Sequence, residues 1–437
     1  MTVARLPHAA LARLARTRSA PGDLALLRDG AHSRRLVLLK SLLTRLERRP
    51  GAVPGPVRER FEAHWRLLER IEARCPGPVR DTLGYPSVGH WLARTLAAPD
   101  GDALARGLGH FGAVTAAAAL RAPGPFTLET ASPDGTLALP GAGLLETGAP
   151  EVRLTSHGRT ARLTAAGRRT GPVLLRAPGR ITGTGPGWRG LSALPGSDAV
   201  LDDLDPYRAP PEGVGHALLP AAPRSATARE PWARHFGAAL ELMRAADPAR
   251  AAEVGALLRC LVPLARSGPY GPAAGGVSAT HRAAPGAVLA SPPDTPAHLA
   301  EVLVHETQHS KLAVLHDLLP LHTAPPHAVH HVAWRADPRP LAGVLQGTYA
   351  HLALADFWAR AARGGANARV ARRDAGTRRD SCLEQVAEAL PILLESAELT
   401  PAGREFTHGM ERHLADLGRW RDPSAAIGAT SPRRDVQ

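Results

Sequence analysis

Apolar residues recur at i, i+3 and i+4 through the N-terminal part of the chain and predict helices over Leu6 to Leu14, Leu24 to Leu46 and Val57 to Ile71. Further helices are expected over His90 to Leu96 and Ala103 to Leu120, with Pro/Gly-rich breaks at 48–56 and 75–86. From about 122 to 222 the period shortens. Alternating runs such as Thr127-Leu128-Glu129-Thr130, Val152 to Thr155, Thr160 to Leu163 and Val173 to Arg176 predict short strands, and Asp134-Gly135 is a hairpin signal. Residues 205–229 read as a linker or covering loop. Helical spacing returns at Pro231 to Ala246 and Ala251 to Leu264, and the short apolar run Gly286 to Ala290 predicts an edge strand. After a long helix at Thr295 to Leu319 and an irregular His-rich connection, helices are predicted over Leu341 to Ala361, about 380–397 and 401–420.

The predicted fold class is α+β, predominantly helical, with a small β-rich middle section. Its expected divisions are a helical region at 1–121, a β-rich region and linker at 122–229, a helical catalytic region at 230–421 and a disordered tail at 422–437. No run of apolar residues is long enough for a membrane span.

The Thr295 to Leu319 helix carries the chemistry. Thr295 is a suitable N-cap, Pro296 suits the first turn, and Pro320 stops the helix. At its centre His305-Glu306-Thr307-Gln308-His309 forms an H-E-x-x-H pattern. Two histidines one turn apart project from one face, so both imidazoles can reach one metal ion. Glu306, about 100° round the axis from His305, can lie beside the metal without ligating it.

Composition changes this picture little. The formal net charge is +13, but only two of the 53 basic residues are lysines, Lys40 and Lys311. Arginine is spread along the chain rather than clustered with aromatics, so compositional bias accounts for the charge and no nucleic-acid partner is expected. The N-terminus has frequent arginines and no continuous apolar core of a secretory signal. Cys75, Cys260 and Cys382 are odd in number and far apart, which excludes a clustered cysteine metal site and suits a reducing cytoplasm.

A third metal ligand must come from elsewhere. Glu301 and His316 lie roughly along the stripe of the two histidines, but His316 is about 10 Å further along the axis, too far to chelate the same ion. On the Leu341 to Ala361 helix, His351 is the lone basic group on a stripe with Val344, Thr348, Ala355 and Trp358. It is the preferred third ligand, from a second His-bearing helix packed on the first, and Asp356 is the next choice. His327, His330 and His331 sit in a connection that constrains them little. Chemistry alone then suggests zinc hydrolysis, in which Glu306 is the general base that activates a metal-bound water. The loop with Trp334, Arg335, Asp337, Arg339 and Gln346 also offers guanidinium groups for a carboxylate ligand, and histidines with open positions hold Fe(II) as readily.

The runs HETQHSKLAVLHDLLPL and VAWRADPRPLAGVLQGTYAHLALADFW resemble the H-E-x-x-H peptide-modification proteins, 2-oxoglutarate-dependent peptide β-hydroxylases of ribosomal-peptide biosynthesis. The similarity is clearest over about 280–360, and without clustered cysteines the chain looks like the form not fused to a radical-SAM domain. The resemblance implies Fe(II), 2-oxoglutarate and O₂, with β-hydroxylation of a precursor peptide. It implies His305, His309 and His351 as metal ligands, Arg339, Arg335 and Lys311 as candidates for the 2-oxoglutarate carboxylate, and an orienting role for Glu306. The alternative is a zinc metallopeptidase using Glu306 as base; a scaffold with a structural metal is a third reading.

Overall fold

The computed structural model describes residues 6–158, 160–165, 168–177, 180–215, 218–266, 276–327, 329–363 and 369–419. The expected disordered tail lies outside the described residues. The fold is mostly helical with a β-rich section, and the chain passes between two compact units. One unit is Leu27–Leu240 with Gly255–Val302; the other is Met1–Leu26, Glu241–Val254 and Leu303–Gln437.

The first unit holds most of helix α2 (Pro21–Arg48) and helices α3 (Gly55–Arg74), α4 (Pro76–Leu83), α5 (Pro86–Ala97), α6 (Asp102–Gly109) and α7 (Phe111–Arg121). Residues Phe111 to Leu120 of α7 are buried throughout. A helix apolar on all sides belongs in the middle of a core, and its alanines let neighbours approach closely. Strands β1 (Phe126–Ala131), β4 (Glu151–His157), β5 (Thr160–Ala165), β6 (Arg168–Ala177) and β7 (Arg180–Thr184) form an antiparallel sheet in that order. In β4 the burial alternates along the strand, as period-two patterning requires.

Asp134-Gly135 does form a turn, with φ of 55° and 65°. It does not close a hairpin. It leads from β1 into β2 (Thr136–Leu139), which pairs instead with β3 (Gly143–Glu146), and β3 pairs with β8 (Trp188–Gly190).

A second departure concerns Ala251 to Leu264. The helix there, α9 (Pro248–Leu257), stops early, and Cys260–Pro263 forms strand β11. All four of its residues are buried, and it runs parallel to β10 (Val200–Leu201) on one side and β13 (Ala287–Ala290) on the other. A continuously apolar strand between parallel partners carries no alternation to distinguish it from a buried helix. For the same reason β13 is an inner strand rather than an edge. It lies between β11 and β12 (Ser278–Ala279), in the sheet that β10 and β9 (Ser192–Ala193) complete. Beneath this sheet Tyr85 Oη donates to Asp202 Oδ2 at 2.7 Å and Ser87 Oγ to Asp205 Oδ2 at 2.7 Å, all four residues being buried. Burial, and for Asp202 the neighbouring Asp205, raises both carboxyls above the usual range.

The second unit contains α1 (His8–Ala15), parts of α8 (Arg229–Ala246) and α9, most of α10 (Pro296–Leu318), a hairpin of β14 (His330–Val332) and β15 (Arg335–Arg339), α11 (Leu341–Ala361), α12 (Arg369–Leu394) and α13 (Pro401–Arg419). Thr295 caps α10: the His298 amide donates to its Oγ1 at 3.1 Å, and the helix ends just before Pro320. The core includes Leu303, Val304, Leu312, Leu315, Val344, Leu352, Phe357, Val386, Leu393, Phe406 and Met410.

A buried charge network crosses this core. Lys311 Nζ is paired with Glu253 Oε1 and donates to Gln308 Oε1 at 2.9 Å. Arg250 also binds Glu253, and donates to Thr17 O at 2.6 Å and Thr17 Oγ1 at 3.1 Å. Lys311 Nζ also donates to Thr17 O at 3.3 Å, so three side-chain bonds converge on Thr17, whose backbone is left-handed at φ 57°. Arg18 joins Asp247 at 2.6 Å and also Asp356, while Arg360 donates to Asp356 Oδ1 at 3.1 Å. Burial pushes Glu253 up, but Lys311 and Arg250 outweigh it and hold the carboxylate at about 2. Burial pushes Lys311 down to about 8 against the pull of Glu253, because one carboxylate is shared between two cations. Both partners stay charged at neutral pH.

Removing one member strands a buried charge. Lys311→Met is expected to destabilise the protein by about 3–5 kcal/mol. Combining it with Glu253→Met is expected to cost less than the sum of the two single changes, and urea unfolding of the full cycle that came out additive would refute the coupling. The Asp202 and Asp205 pair has a separate signature. Carboxyls raised on folding add stability that is full below their unfolded pKa and lost as pH rises through the folded value. Unfolding free energy should therefore carry a component that falls from about pH 4 towards neutrality. Asp202→Asn should flatten it, as pH-resolved denaturation would show.

Candidate metal centre

The α10 backbone places His305 and His309 one turn apart, and the side chains converge. Their Nε2 atoms are 3.0 Å apart and the rings are perpendicular, with centroids separated by 4.6 Å. Two ligand nitrogens of a tetrahedral zinc ion, each about 2.0–2.1 Å from it, sit roughly 3.3 Å apart. With a carboxylate oxygen of Glu306 they form the one group of three among the described residues whose ligand atoms all lie within 4.8 Å of one another. Glu306 is buried and the two histidines are half-buried. Two imidazole nitrogens and a carboxylate oxygen converging in this way are a donor set that suits a divalent ion of the zinc type.

Two of the imidazoles are oriented by acceptors on α11, one of them across from α10 and the other within its own helix. His309 Nδ1 lies 2.9 Å from Gln346 Oε1, and His351 Nδ1 lies 2.8 Å from the Gly347 carbonyl. Both oxygens only accept, so both Nδ1 atoms carry the hydrogen and both Nε2 atoms present a lone pair. Burial, followed by the proximity of His309 and His351, lowers His305 well below the ordinary imidazole range. Burial lowers His351 to about 4 despite its carbonyl bond. Both rings are neutral at pH 7, the form that binds metals.

The expectation of a site shared between two His-bearing helices needs correcting. The triad within ligating distance stands on α10 alone, His305 and His309 on one face and Glu306 beside them, about 100° round the axis from His305. His351, on α11, has its ring centroid 5.3 Å from that of His305 and lies outside the triad. The Trp334 indole, from the turn between β14 and β15, stacks on it at 4.7 Å and 25°. Asp356, the next choice, is drawn to Arg18 and Arg360 instead.

The remaining candidates go elsewhere. Lys311 is buried against Glu253. Arg335 and Arg339 both turn onto Asp337, at 2.9 and 3.3 Å. The cations expected to hold 2-oxoglutarate are thus engaged with carboxylates of the protein.

No protein-family model and no curated protein matches the chain. The resemblance to 2-oxoglutarate-dependent peptide β-hydroxylases is overturned by the fold. The β-barrel typical of 2-oxoglutarate oxygenases is not what surrounds the site; a H-E-x-x-H triad on a single helix, in a mainly helical unit, does. The reading as an Fe(II)- and 2-oxoglutarate-dependent oxidoreductase falls with it. No helix of the described residues is long and apolar enough to cross a membrane.

Pattern reading missed the stack of Trp334 on His351 and the bond from His309 to Gln346. Neither has a sequence signal of its own, since each joins residues brought together only by the hairpin and the packing of α11. If the triad holds the ion, His309→Ala should abolish stoichiometric zinc or cobalt binding in equilibrium dialysis while leaving the far-UV dichroism unchanged. Undiminished binding would move the site elsewhere.

Proposed function

We propose that the protein is a zinc-dependent metallopeptidase in which Glu306 is the general base. The observation that carries this reading is the placement of His305, Glu306 and His309 on one helix, with ligand atoms within 4.8 Å of one another. In this reading His305 and His309 ligate the ion. His351 closes the set from α11 by a small side-chain shift, since its free nitrogen is already the lone-pair one and its ring is 5.3 Å from that of His305. Bound zinc supplies Lewis acidity, acidifying water and polarising a peptide carbonyl.

The rest is work for the chain. The Glu306 carboxylate takes the proton from the attacking water and returns it to the departing amine nitrogen, so one side chain serves as base and then acid. The Gln346 and Gly347 acceptors keep the imidazoles in their ligating form through the cycle.

The test is chelator-sensitive cleavage of unstructured peptides by zinc-loaded protein, read by mass spectrometry. Glu306→Gln should lower the rate by about 10²–10⁴-fold while the zinc content stays the same. His351→Ala should weaken zinc retention as well as turnover. Peptides left intact by fully loaded protein, or a Glu306→Gln variant as fast as the wild type, would end this reading.

A further inference from the structure

Residues 346 and 347 of α11 act on two different imidazoles. Gln346 accepts from Nδ1 of His309, which belongs to α10, while the Gly347 carbonyl accepts from Nδ1 of His351, one turn further along its own helix. The second contact is supplied by backbone and survives any substitution that keeps the helix. The first depends on one side chain and on which end of its amide faces the ring. With the oxygen inward, His309 keeps its Nδ1 hydrogen and offers Nε2. With the nitrogen inward, or with an apolar side chain, the ring is released to the other tautomer, whose Nε2 hydrogen blocks ligation.

The hairpin braces the same stretch. Trp334 covers the face of His351 and also occupies the space beside Gly347, where an added Cβ would lie 2.5 Å from the indole Cζ2. Gly347 is therefore small because the indole needs its place, and the turn of α11 that carries Gln346 is held between α10 and Trp334.

We propose that Gln346 is a positioning residue for the metal centre, fixing His309 as the tautomer that ligates through Nε2. The proposal rests on the reading of His305 and His309 as metal ligands. An amide suits the task better than a carboxylate in one respect: it orients the imidazole without adding a second negative charge beside Glu306. Outer partners of this kind change metal affinity by about 10–100-fold when removed.

The experiment compares full-length wild type, Gln346→Leu and Gln346→Glu. Zinc and cobalt affinities are measured by chelator competition, apo-protein melting by calorimetry, and the His309 tautomer by nitrogen-15 NMR of the apo form. The expected result is that Gln346→Leu weakens metal binding about 10–100-fold with apo melting nearly unchanged. Gln346→Glu, which still accepts, should restore affinity to near the wild-type level, and the wild-type spectrum should show His309 protonated at Nδ1. A Gln346→Leu variant that binds metal as tightly as the wild type overturns the proposal and leaves the metal reading standing. A wild type that binds neither ion overturns both. Should Gln346→Leu fail to fold, the wild-type spectrum decides, and His309 protonated at Nε2 refutes the assignment.

Discussion

The orientation of α10 depends on what its back face is tied to. Lys311 is two residues beyond His309, about 160° round the axis from it, so the two side chains leave opposite sides of the helix. Lys311 and Gln308 both reach Glu253 of α9, which Arg250 binds from its other side. Rolling the helix by one residue would turn the histidines away from α11 and pull a buried ammonium off its carboxylate. A buried ion pair contributes little net stability, because desolvation consumes most of the attraction. Its value here is directional. An apolar back face would tolerate several rotations; a buried lysine facing a buried glutamate tolerates one. The same network reaches the N-terminal segment through Thr17 and Arg18, and reaches α11 through Asp356. The helix bearing the H-E-x-x-H pattern and the helix bearing Gln346 and His351 are therefore referenced to one set of charges.

That dependence explains which parts of the site the sequence made legible. The α10 helix announced itself through local features: a threonine cap that forms, a terminal proline that stops it, and apolar residues at helical spacing. The H-E-x-x-H pattern is equally local, and a helix can be folded mentally around it. The mainly helical character with a β-rich middle also followed from local periodicity. What lay beyond reach was long-range. Lys311 stood out as one of two lysines in an arginine-rich chain, a real signal that pointed to the wrong partner. Its carboxylate, Glu253, is 58 positions away, and nothing in the spacing joins them. Similarly, β11 was hidden because a fully buried parallel strand has no alternation to read.

The oxygenase reading failed at the same boundary. It named Arg335, Arg339 and Lys311 as candidates for the 2-oxoglutarate carboxylate, and what such cations are paired with is a tertiary property. Arg335, Asp337 and Arg339 lie on one strand with side chains on a common side, because strand residues two apart face the same way. The arginines that looked like a clamp in linear order both turn onto the Asp337 carboxylate between them. Lys311 is withdrawn even more completely, behind the helix that carries the histidines.

The role of Glu306 then turns on His351. A carboxylate within ligating distance of both Nε2 atoms has two possible employments, and they exclude each other. As an inner ligand it gives an oxygen to the ion in a His₂Glu set, and that oxygen is no longer free to take a proton. As a base it must stand off the ion, which requires a third ligand from another element. Besides His309, the His351 ring lies against His305, with its Nδ1 hydrogen already committed to the Gly347 carbonyl. An imidazole held neutral, half-buried and turned to present Nε2 is in the form that ligates metals. Trp334 covers its face and limits the ring's freedom to turn elsewhere. The Gly347 carbonyl and the Trp334 indole together fix the His351 ring beside that of His305, so the surroundings of the triad are set by α11 and the hairpin as much as by α10.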